Sequence, residues 1–388
     1  MRQPLSRWMV GVVIGFVLIG CSSDPDSMES DPVLNGGAPQ QPTGGSGGQP
    51  EQPMAGGSSG AGSGGTGGNG GSTLQGGEPA PADEDAATMS PQQDSGTDAP
   101  SQSGDAAVDA DAPVEITCPT SALEPGDETQ SLTHDGIARE FLIHVPPSYD
   151  NTRPVPLVLN FHGATSNAEQ QRSLFSQMDV TADAKGFIVV YPEGVGSSWN
   201  AGACCGDAAS QNVDDVGFAL ALVEHMKSRA CIDPDRVYAA GFSNGGRMSY
   251  RLGCEAAHVF AAIAPVAGTK SFPDLNNTPG CTPSRPLSLI DFMGSADSRI
   301  SAQPGQIAEW VAFNGCTDAA PAEVYRNGEH YCLAYTQCEA ETSVTYCVVD
   351  GGGHCWPGTT PCVLGATSSA SELSANELMW EVFERSSL

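Results

Sequence analysis

An α/β fold with a mostly parallel central sheet flanked by helices is predicted for residues 118–388. In this part of the chain, short apolar runs of strand length alternate with segments whose apolar residues recur at helical spacing. Alternating strands and helices form mostly parallel sheets, which place functional side chains at the carboxyl ends of the strands. Residues 22–117 are instead rich in Gly, Ser, Pro, Gln, Ala and Asp, and this composition predicts a flexible tether.

The individual elements follow from these patterns. Apolar runs predict strands at residues 137–145, 155–161, 187–191, 236–240, 261–266, 286–293 and 343–349. Helical spacing of apolar residues predicts helices at residues 215–227, 247–252, 307–313 and 372–383. Asp214 or Asp215 is placed to cap the first of these helices, because a carboxylate there can accept a bond from an unpaired backbone N–H.

The pentapeptide from Gly241 to Gly245 matches the pattern G-x-S-x-G, with Ser243 at its centre. A hydroxyl nucleophile must stand clear of its own backbone, and a sharp strand-to-helix turn achieves this only if small residues flank the serine. The pattern alone is weak evidence in a chain with 47 glycines. Here it follows a predicted strand and precedes a predicted helix, which is the arrangement of an α/β-hydrolase. We therefore predict a serine hydrolase with Ser243 as the nucleophile.

A serine nucleophile needs a base, and His354 is the best placed of seven histidines. It follows the predicted strand 343–349 in a glycine-rich loop that can lift an imidazole to the edge of the sheet. The acid that orients it is predicted to be Asp297, at the end of the strand before it. Asp291 lies inside that strand and Asp350 precedes the histidine loop, so both are weaker candidates. The order Ser, acid, His is that of an α/β-hydrolase.

The tetrahedral intermediate of acyl transfer carries an oxyanion that two backbone N–H groups can stabilise. The first N–H is predicted to come from Asn244, directly after the nucleophile, and the second from Gly163 or Ala164 at the end of strand 155–161. His162 then has a structural role, in positioning that loop.

Trp199 and Trp356 flank the predicted site in sequence. Each indole is either a platform that stacks on a sugar or feruloyl ring of the substrate, or part of the core. Asn200 is a candidate hydrogen-bonding neighbour of the substrate.

The N-terminus predicts export. Residues 1–21 carry Arg2 and Arg7, then an apolar run too short for a typical membrane span, and end at Cys21 after Leu-Ile-Gly. This is a bacterial lipobox pattern, so we expect Cys21 to be lipidated after cleavage and residues 22–117 to hold the domain away from a membrane. An ordinary cleaved signal with an incidental cysteine is the alternative.

Removing Cys21 from the 13 cysteines leaves 12, all between Cys118 and Cys362. An even number in an exported chain predicts disulfides, up to six, with pairings that the sequence leaves open. Cys204 and Cys205 can bond to each other, but bridges to two distant partners are favoured on geometric grounds. A zinc site on Cys204, Cys205, His354 and Cys355 competes weakly, because no C-x-x-C knuckle is present.

The balance of 16 Lys plus Arg against 46 Asp plus Glu, a net charge of −30, argues against a nucleic-acid partner. We expect the domain to be monomeric, to contact a membrane only through its lipid, and to need no metal or organic cofactor.

Several segments together resemble one family. They are FHG (161–163), WNAGACC (199–205), NVDDVGF (212–218), GFSNGG (241–246), APVAG (264–268) and GHCWPG (353–358). They are similar to secreted esterases of the polyhydroxybutyrate depolymerase and feruloyl esterase type, in the first carbohydrate esterase family. The resemblance spans nearly all of residues 118–383 and implies the same roles for Ser243, Asp297 and His354. The sequence departs from the family at 292–299, where relatives usually have a histidine before Gly294 and a proline shortly after Asp297.

The predicted function is hydrolysis of feruloyl or acetyl esters on plant polysaccharide such as xylan. A polyhydroxyalkanoate depolymerase is the alternative within the family. A surface binding module that keeps the hydrolase fold without catalysis is the alternative from another class.

Overall fold

The computed structural model describes residues 116–202, 204–269, 281–359 and 372–388, and the strands of these residues form one sheet. The strands are β1 (Gly126–His134), β2 (Ile137–Val145), β3 (Val155–Phe161), β4 (Ile188–Pro192), β5 (Ile232–Phe242), β6 (Ala262–Val266), β7 (Ser288–Gly294), β8 (Ala322–Asn327), β9 (His330–Tyr335) and β10 (Val344–Val349). The predicted signal 1–21, the lipidation site Cys21 and the linker as far as residue 115 lie outside the described residues.

The sheet is mostly parallel, as predicted. Its strand order is β1-β2-β4-β3-β5-β6-β7-β10-β9-β8. The six central strands, in the sheet order β4-β3-β5-β6-β7-β10, pair in parallel. Antiparallel strands extend both sides of this centre, with β2 and β1 next to β4 and with β9 and β8 next to β10. The carboxyl ends of β5, β7 and β10 therefore meet at one edge of the sheet.

Helices cover both faces of the sheet. They are α1 (Ala168–Gln170), which continues as a π-helical turn (Gln171–Ser176), α2 (Asp179–Lys185), α3 (Gly206–Ser210), α4 (Asp215–Arg229), α5 (Asn244–Glu255), α6 (Gln303–Phe313) and α7 (Ala375–Phe383). Of the two capping residues that the sequence left open, Asp214 caps α4: its side chain accepts a hydrogen bond from the Gly217 N–H. Among the described residues, none of these helices has the length and apolar character needed to cross a membrane.

Side chains on the central strands alternate between two hydrophobic layers. On β3, Leu157 and Leu159 belong to the layer that packs against α4, α5 and α6, whereas Val158 belongs to the layer with α2 and α7. On β5, Val237 and Tyr238 divide between the layers in the same way. Successive strand residues point to opposite faces, so a strand covered on both sides is apolar throughout. This is why the central strands appear in the sequence as mostly apolar runs.

The predicted strands are confirmed, and two of them, β2 and β3, have the predicted bounds. The prediction missed β1, β8 and β9, which form the antiparallel margins of the sheet. Most side chains of β1 and β8 are exposed, so these strands carry no apolar run. In β9 buried and half-buried residues alternate, because only one of its faces packs fully on the core.

The cysteines in the part of the chain that the structure describes are paired in disulfides, as predicted. The described bonds are Cys118–Cys231, Cys204–Cys205, Cys254–Cys281, Cys316–Cys338 and Cys332–Cys347, and Cys355 is also disulfide-bonded. The bond between Cys204 and Cys205 corrects the prediction of two distant partners. Among the described residues, the eight cysteines of the other four bonds pair with one another and are not available to Cys204 or Cys205. Multiple disulfides are typical of proteins that fold in an oxidising compartment outside the cytoplasm.

Candidate active site

Ser243 occupies a sharp turn between β5, which ends at Phe242, and α5, which begins at Asn244. Its backbone has φ 54° and ψ −111°, a conformation that costs a non-glycine residue free energy. The turn is held by the Ser243 N–H, which donates to the Val266 carbonyl of β6 at 2.8 Å. The Ser243 side chain is only partly buried. The turn thus presents a hydroxyl at the carboxyl end of the sheet.

Gly241 and Gly245 are required by close backbone contacts around this turn. A Cβ on Gly241 would lie 2.4 Å from the carbonyl carbon of Gly245. A Cβ on Gly245 would lie 2.1 Å from the carbonyl oxygen of Phe161, at the end of β3. No side chain fits at either distance, so both glycines of the G-x-S-x-G pattern have a steric reason.

The structure brings Asp297 and His354 together. Asp297 follows β7, His354 follows β10, and the His354 Nδ1–H donates to Asp297 Oδ2 at 2.6 Å. The two loops are in close contact, since a Cβ on Gly294 would lie 2.1 Å from the carbonyl oxygen of Gly352. The weaker acid candidates lie elsewhere: Asp291 is buried within β7, and Asp350 is exposed.

The electrostatics of the pair favour an ionised acid. Burial would raise the pKa of the Asp297 carboxyl, but the hydrogen bond and charge of His354, the Arg299 N–H and the Arg299 guanidinium together lower this pKa below its usual value. The Arg299 N–H lies 3.0 Å from Asp297 Oδ1. Both carboxylate oxygens are thereby engaged. The sequence showed Arg299 only as a departure from the family pattern, and its contact with the acid was missed.

His354 lies beside the turn that contains Ser243. Its ring centroid is 5.0 Å from that of Phe242, the residue directly before Ser243. Phe242 in turn stacks on Phe175 of the π-helical turn at 5.1 Å. The sequence analysis missed Phe175, because no local pattern connects the π-helical turn to the end of β5. Ser243, His354 and Asp297 thus gather at one edge of the sheet.

The predicted oxyanion donors also border Ser243. The backbone N–H of Asn244 is in the first turn of α5, where N–H groups have no partner within the helix. The loop after β3 lies against Ser243, since a Cβ on Gly163 would be 3.5 Å from the Ser243 Cβ. The next residue, Ala164, is partly buried. Two segments that can supply N–H groups therefore lie next to the serine.

His162 holds the loop after β3. Its Nδ1–H donates to the Gly163 carbonyl at 2.8 Å, and its Nε2 accepts from the Gly194 N–H at 2.9 Å. Burial lowers the pKa of His162 to about 4, and the charge of Arg139 contributes. The imidazole is therefore neutral at ordinary pH, as its hydrogen bonds require. This geometry agrees with the structural role that the sequence suggested.

The tryptophans have the core role rather than the stacking role. Trp199 is 0 % exposed and Trp356 is 1 % exposed, so neither presents a ring face to a substrate. This corrects the stacking prediction, and the reason is that both indoles fill interior space with their Nε1–H groups bonded to protein acceptors. Asn200 is also buried, with its N–H donating to Asp215 and its side-chain amide donating to Val213, which leaves it no role at a substrate.

Among the described residues, the groups that could hold a metal lie elsewhere. They are Asp127, His144 and Asp179, and His134, Asp135 and Asp214. Both ring nitrogens of His144 are already hydrogen-bonded to aspartates. Of the weak zinc candidates, Cys204, Cys205 and Cys355 are disulfide-bonded and offer no thiolate.

Asp291 leads to a prediction about stability. Tyr250 and Gln303 donate hydrogen bonds to it, but full burial raises its pKa to about 7, far above its usual 3.8. Because the folded-state pKa is raised, this carboxyl stabilises the fold fully below about pH 4 and loses that contribution as the pH rises through 7. Asp291→Asn should therefore gain stability relative to the wild type between pH 5 and pH 8, by on the order of 3 kcal/mol.

Urea unfolding of the wild type and Asp291→Asn at both pH values measures this change. A difference in unfolding free energy that is the same at pH 5 and pH 8 would contradict the prediction.

Comparisons with known proteins indicate an esterase family. The family model "Esterase PHB depolymerase" matches residues 140–275. Feruloyl esterase B of Piromyces equi is 32% identical over 56% of this chain, which spans only 42% of that protein's length. The putative esterase NocK of Nocardia uniformis is 32% identical over 60% of this chain and 76% of its own length. The probable feruloyl esterase C of Aspergillus niger is 28% identical over 69% of this chain and 93% of its own.

Among solved structures, an acetyl xylan esterase from Aspergillus awamori matches 66% of this chain and 99% of its own, with a TM-score of 0.45 and 16% identity. The family assignment does not use this structural match. It rests on the sequence relatives, and the sheet order and the turn at Ser243 are consistent with it. The identity to NocK over three quarters of that protein, together with the matching family model, shows that the chain belongs to the PHB depolymerase-type esterases, a family of carboxylic ester hydrolases with the α/β-hydrolase fold.

Proposed function

We propose that this protein is an extracytoplasmic serine esterase that cleaves feruloyl or acetyl esters on plant polysaccharide such as xylan. The observation that carries the mechanism is the hydrogen-bonded pair of Asp297 and His354 beside a serine held in a strand-to-helix turn. Support for the substrate class comes from the relatives whose names are feruloyl esterase and acetylxylan esterase/xylanase.

The reaction proceeds through an acyl-enzyme. His354 accepts the proton of the Ser243 hydroxyl through Nε2, while its Nδ1–H stays bonded to Asp297. The serine oxygen attacks the ester carbonyl, and the N–H groups of Asn244 and of Gly163 or Ala164 stabilise the oxyanion that forms. His354 then gives its proton to the leaving alcohol. Water activated by the same imidazole releases the carboxylic acid and restores the serine.

A polyhydroxyalkanoate depolymerase is the second candidate, and the description of the matching family model favours it. The ester chemistry and the catalytic residues are the same in both candidates. They differ in the groups on either side of the scissile bond: an aromatic or acetyl acid on a sugar, or a hydroxyacid chain.

The site of action is outside the cytoplasm. The lipobox pattern that ends at Cys21 supports export and a lipid anchor. The domain acts as a monomer, and the lipid is its contact with the membrane.

The test is product analysis with the full-length protein on methyl ferulate, acetylated xylan and a short polyhydroxybutyrate oligomer. A sample pre-treated with a fluorophosphonate is the control, and mass spectrometry locates the label. Ferulate or acetate release that disappears on labelling of Ser243 supports the polysaccharide esterase. Oligomer cleavage alone supports the polyester depolymerase. A folded sample with neither label nor product would overturn the catalytic proposal in favour of a binding module.

A further inference from the structure

Trp199 connects two segments that border the nucleophile. Its backbone forms a two-bond pair with the side chain of Asn244: the Trp199 N–H donates to Oδ1 at 2.7 Å, and the Asn244 Nδ2 donates to the Trp199 carbonyl at 3.1 Å. Its indole Nε1–H donates to the His162 carbonyl at 2.9 Å. One buried residue is thus bonded to the start of α5 and to the loop after β3.

Each of these contacts is next to a proposed oxyanion donor. Asn244 carries one of the two backbone N–H groups, and His162 directly precedes Gly163 and is bonded to its carbonyl at 2.8 Å. We propose that Trp199 is a positioning residue that fixes the distance between the two halves of the oxyanion hole. This inference rests on the proposed serine esterase mechanism, and Trp199 itself touches no reacting atom.

Trp199 is well suited to this role because its own position is fixed. It is fully buried, with its ring edge-to-face against Phe161 at 5.0 Å and 5.1 Å from the guanidinium of Arg139. The next backbone N–H, of Asn200, donates to Asp215 at 2.6 Å. Asp215 is in turn paired with Arg139 at 2.6 Å in the interior. These contacts of Trp199 hold the two backbone N–H donors in place before the negative charge develops on the substrate oxygen. This is the condition for oxyanion stabilisation.

The kinetic consequence follows from when the oxyanion exists. It forms in the transition states of both acylation and deacylation, and the bound substrate before attack carries no such charge. Loss of the hydrogen bonds of Trp199 to Asn244 and His162 should therefore lower kcat much more than it changes KM. A purely structural role for the indole would lower stability without this separation.

The test compares Trp199→Phe with Trp310→Phe. Phenylalanine keeps an aromatic ring but removes the indole N–H. Trp310 is a matched control because it is also fully buried and, among the described residues, its Nε1–H has no hydrogen-bond partner. For methyl ferulate hydrolysis, or for whichever ester the wild type cleaves best, Trp199→Phe should lower kcat about 10- to 100-fold with KM within twofold. Trp310→Phe should leave kcat within twofold, although both variants lose thermal stability.

A second variant covers the case in which Trp199→Phe does not fold. Asn244→Ala removes the side-chain bonds to Trp199 and keeps its own backbone N–H, so it should give the same loss confined to kcat. Where both variants fold, the kcat of the double variant should fall by less than the product of the two single effects. The reason is that both substitutions disrupt the same connection through Trp199.

Wild-type kcat in Trp199→Phe, or a change in KM alone, would overturn the proposal. Failure of the esterase mechanism itself is seen separately, since the wild type would then show no phosphonate label on Ser243.

Discussion

Ser243→Ala is expected to lower kcat for ester hydrolysis by on the order of 10⁶. Without the hydroxyl no acyl-enzyme forms, and His354 and Asp297 have no nucleophile to activate. Residual turnover would come from oxyanion stabilisation and binding of the substrate next to water. The fold should persist, because the Ser243 backbone rather than its side chain bonds to β6 and α5. Steady-state rates on the best substrate, with thermal unfolding of each variant, measure both effects.

Ser249→Ala is the matched control. Ser249 is buried in α5, six residues after Ser243, and its hydroxyl donates to the Gly245 carbonyl at 3.1 Å. The Ser249→Ala variant should keep the wild-type rate within about threefold, since the lost hydrogen bond contributes only about 1 kcal/mol to stability. Retention of more than a hundredth of the wild-type rate in Ser243→Ala would show that Ser243 is not the nucleophile.

Asp297→Asn is expected to lower kcat/KM by about 10⁴ with little loss of stability. An amide has the shape of the carboxylate, but its NH₂ group can donate to His354 Nδ1 and so stabilise the tautomer with the proton on Nε2. That tautomer cannot accept the serine proton. The amide also removes the negative charge that stabilises the imidazolium formed during attack.

Asp350→Asn provides the comparison for this change. Asp350 lies four residues before His354 and is exposed. The Asp350→Asn variant should retain the wild-type rate within about threefold, because loss of the Asp350 carboxylate leaves the hydrogen bond between Asp297 and His354 unchanged. A large loss in Asp350→Asn with a small one in Asp297→Asn would assign the acid role to Asp350 instead.

The fold was predictable where local patterns are strong. The run that becomes β3 is apolar because helices cover both faces of the sheet there, and its bounds, like those of β2, were predicted correctly. The margins were not predictable in the same way. The segment that forms β8 is mostly exposed, and it becomes a strand through hydrogen bonds to β9 rather than through burial of its own side chains.

The site shows the same division. The glycines around Ser243 are needed for steric reasons that act within a few residues, so the turn was readable in the sequence. The choice between Asp291, Asp297 and Asp350 was argued only from strand order, and the hydrogen bond at 2.6 Å is a contact between loops that are distant in the sequence. The contact of Arg299 with Asp297 left no sequence signal beyond a departure from the family pattern.

The sequence by itself determined the elements of the central sheet, the turn that presents Ser243, the segments that border it and the oxidised state of the cysteines. These depend on side-chain size, apolar periodicity and composition, which are properties of short segments. Only the tertiary structure decided that Cys204 bonds to Cys205, that Trp199 is buried between the β3 loop and Asn244, and which carboxylate faces His354. These outcomes depend on which strands become neighbours, and the packing that sets this order acts between residues far apart in the chain.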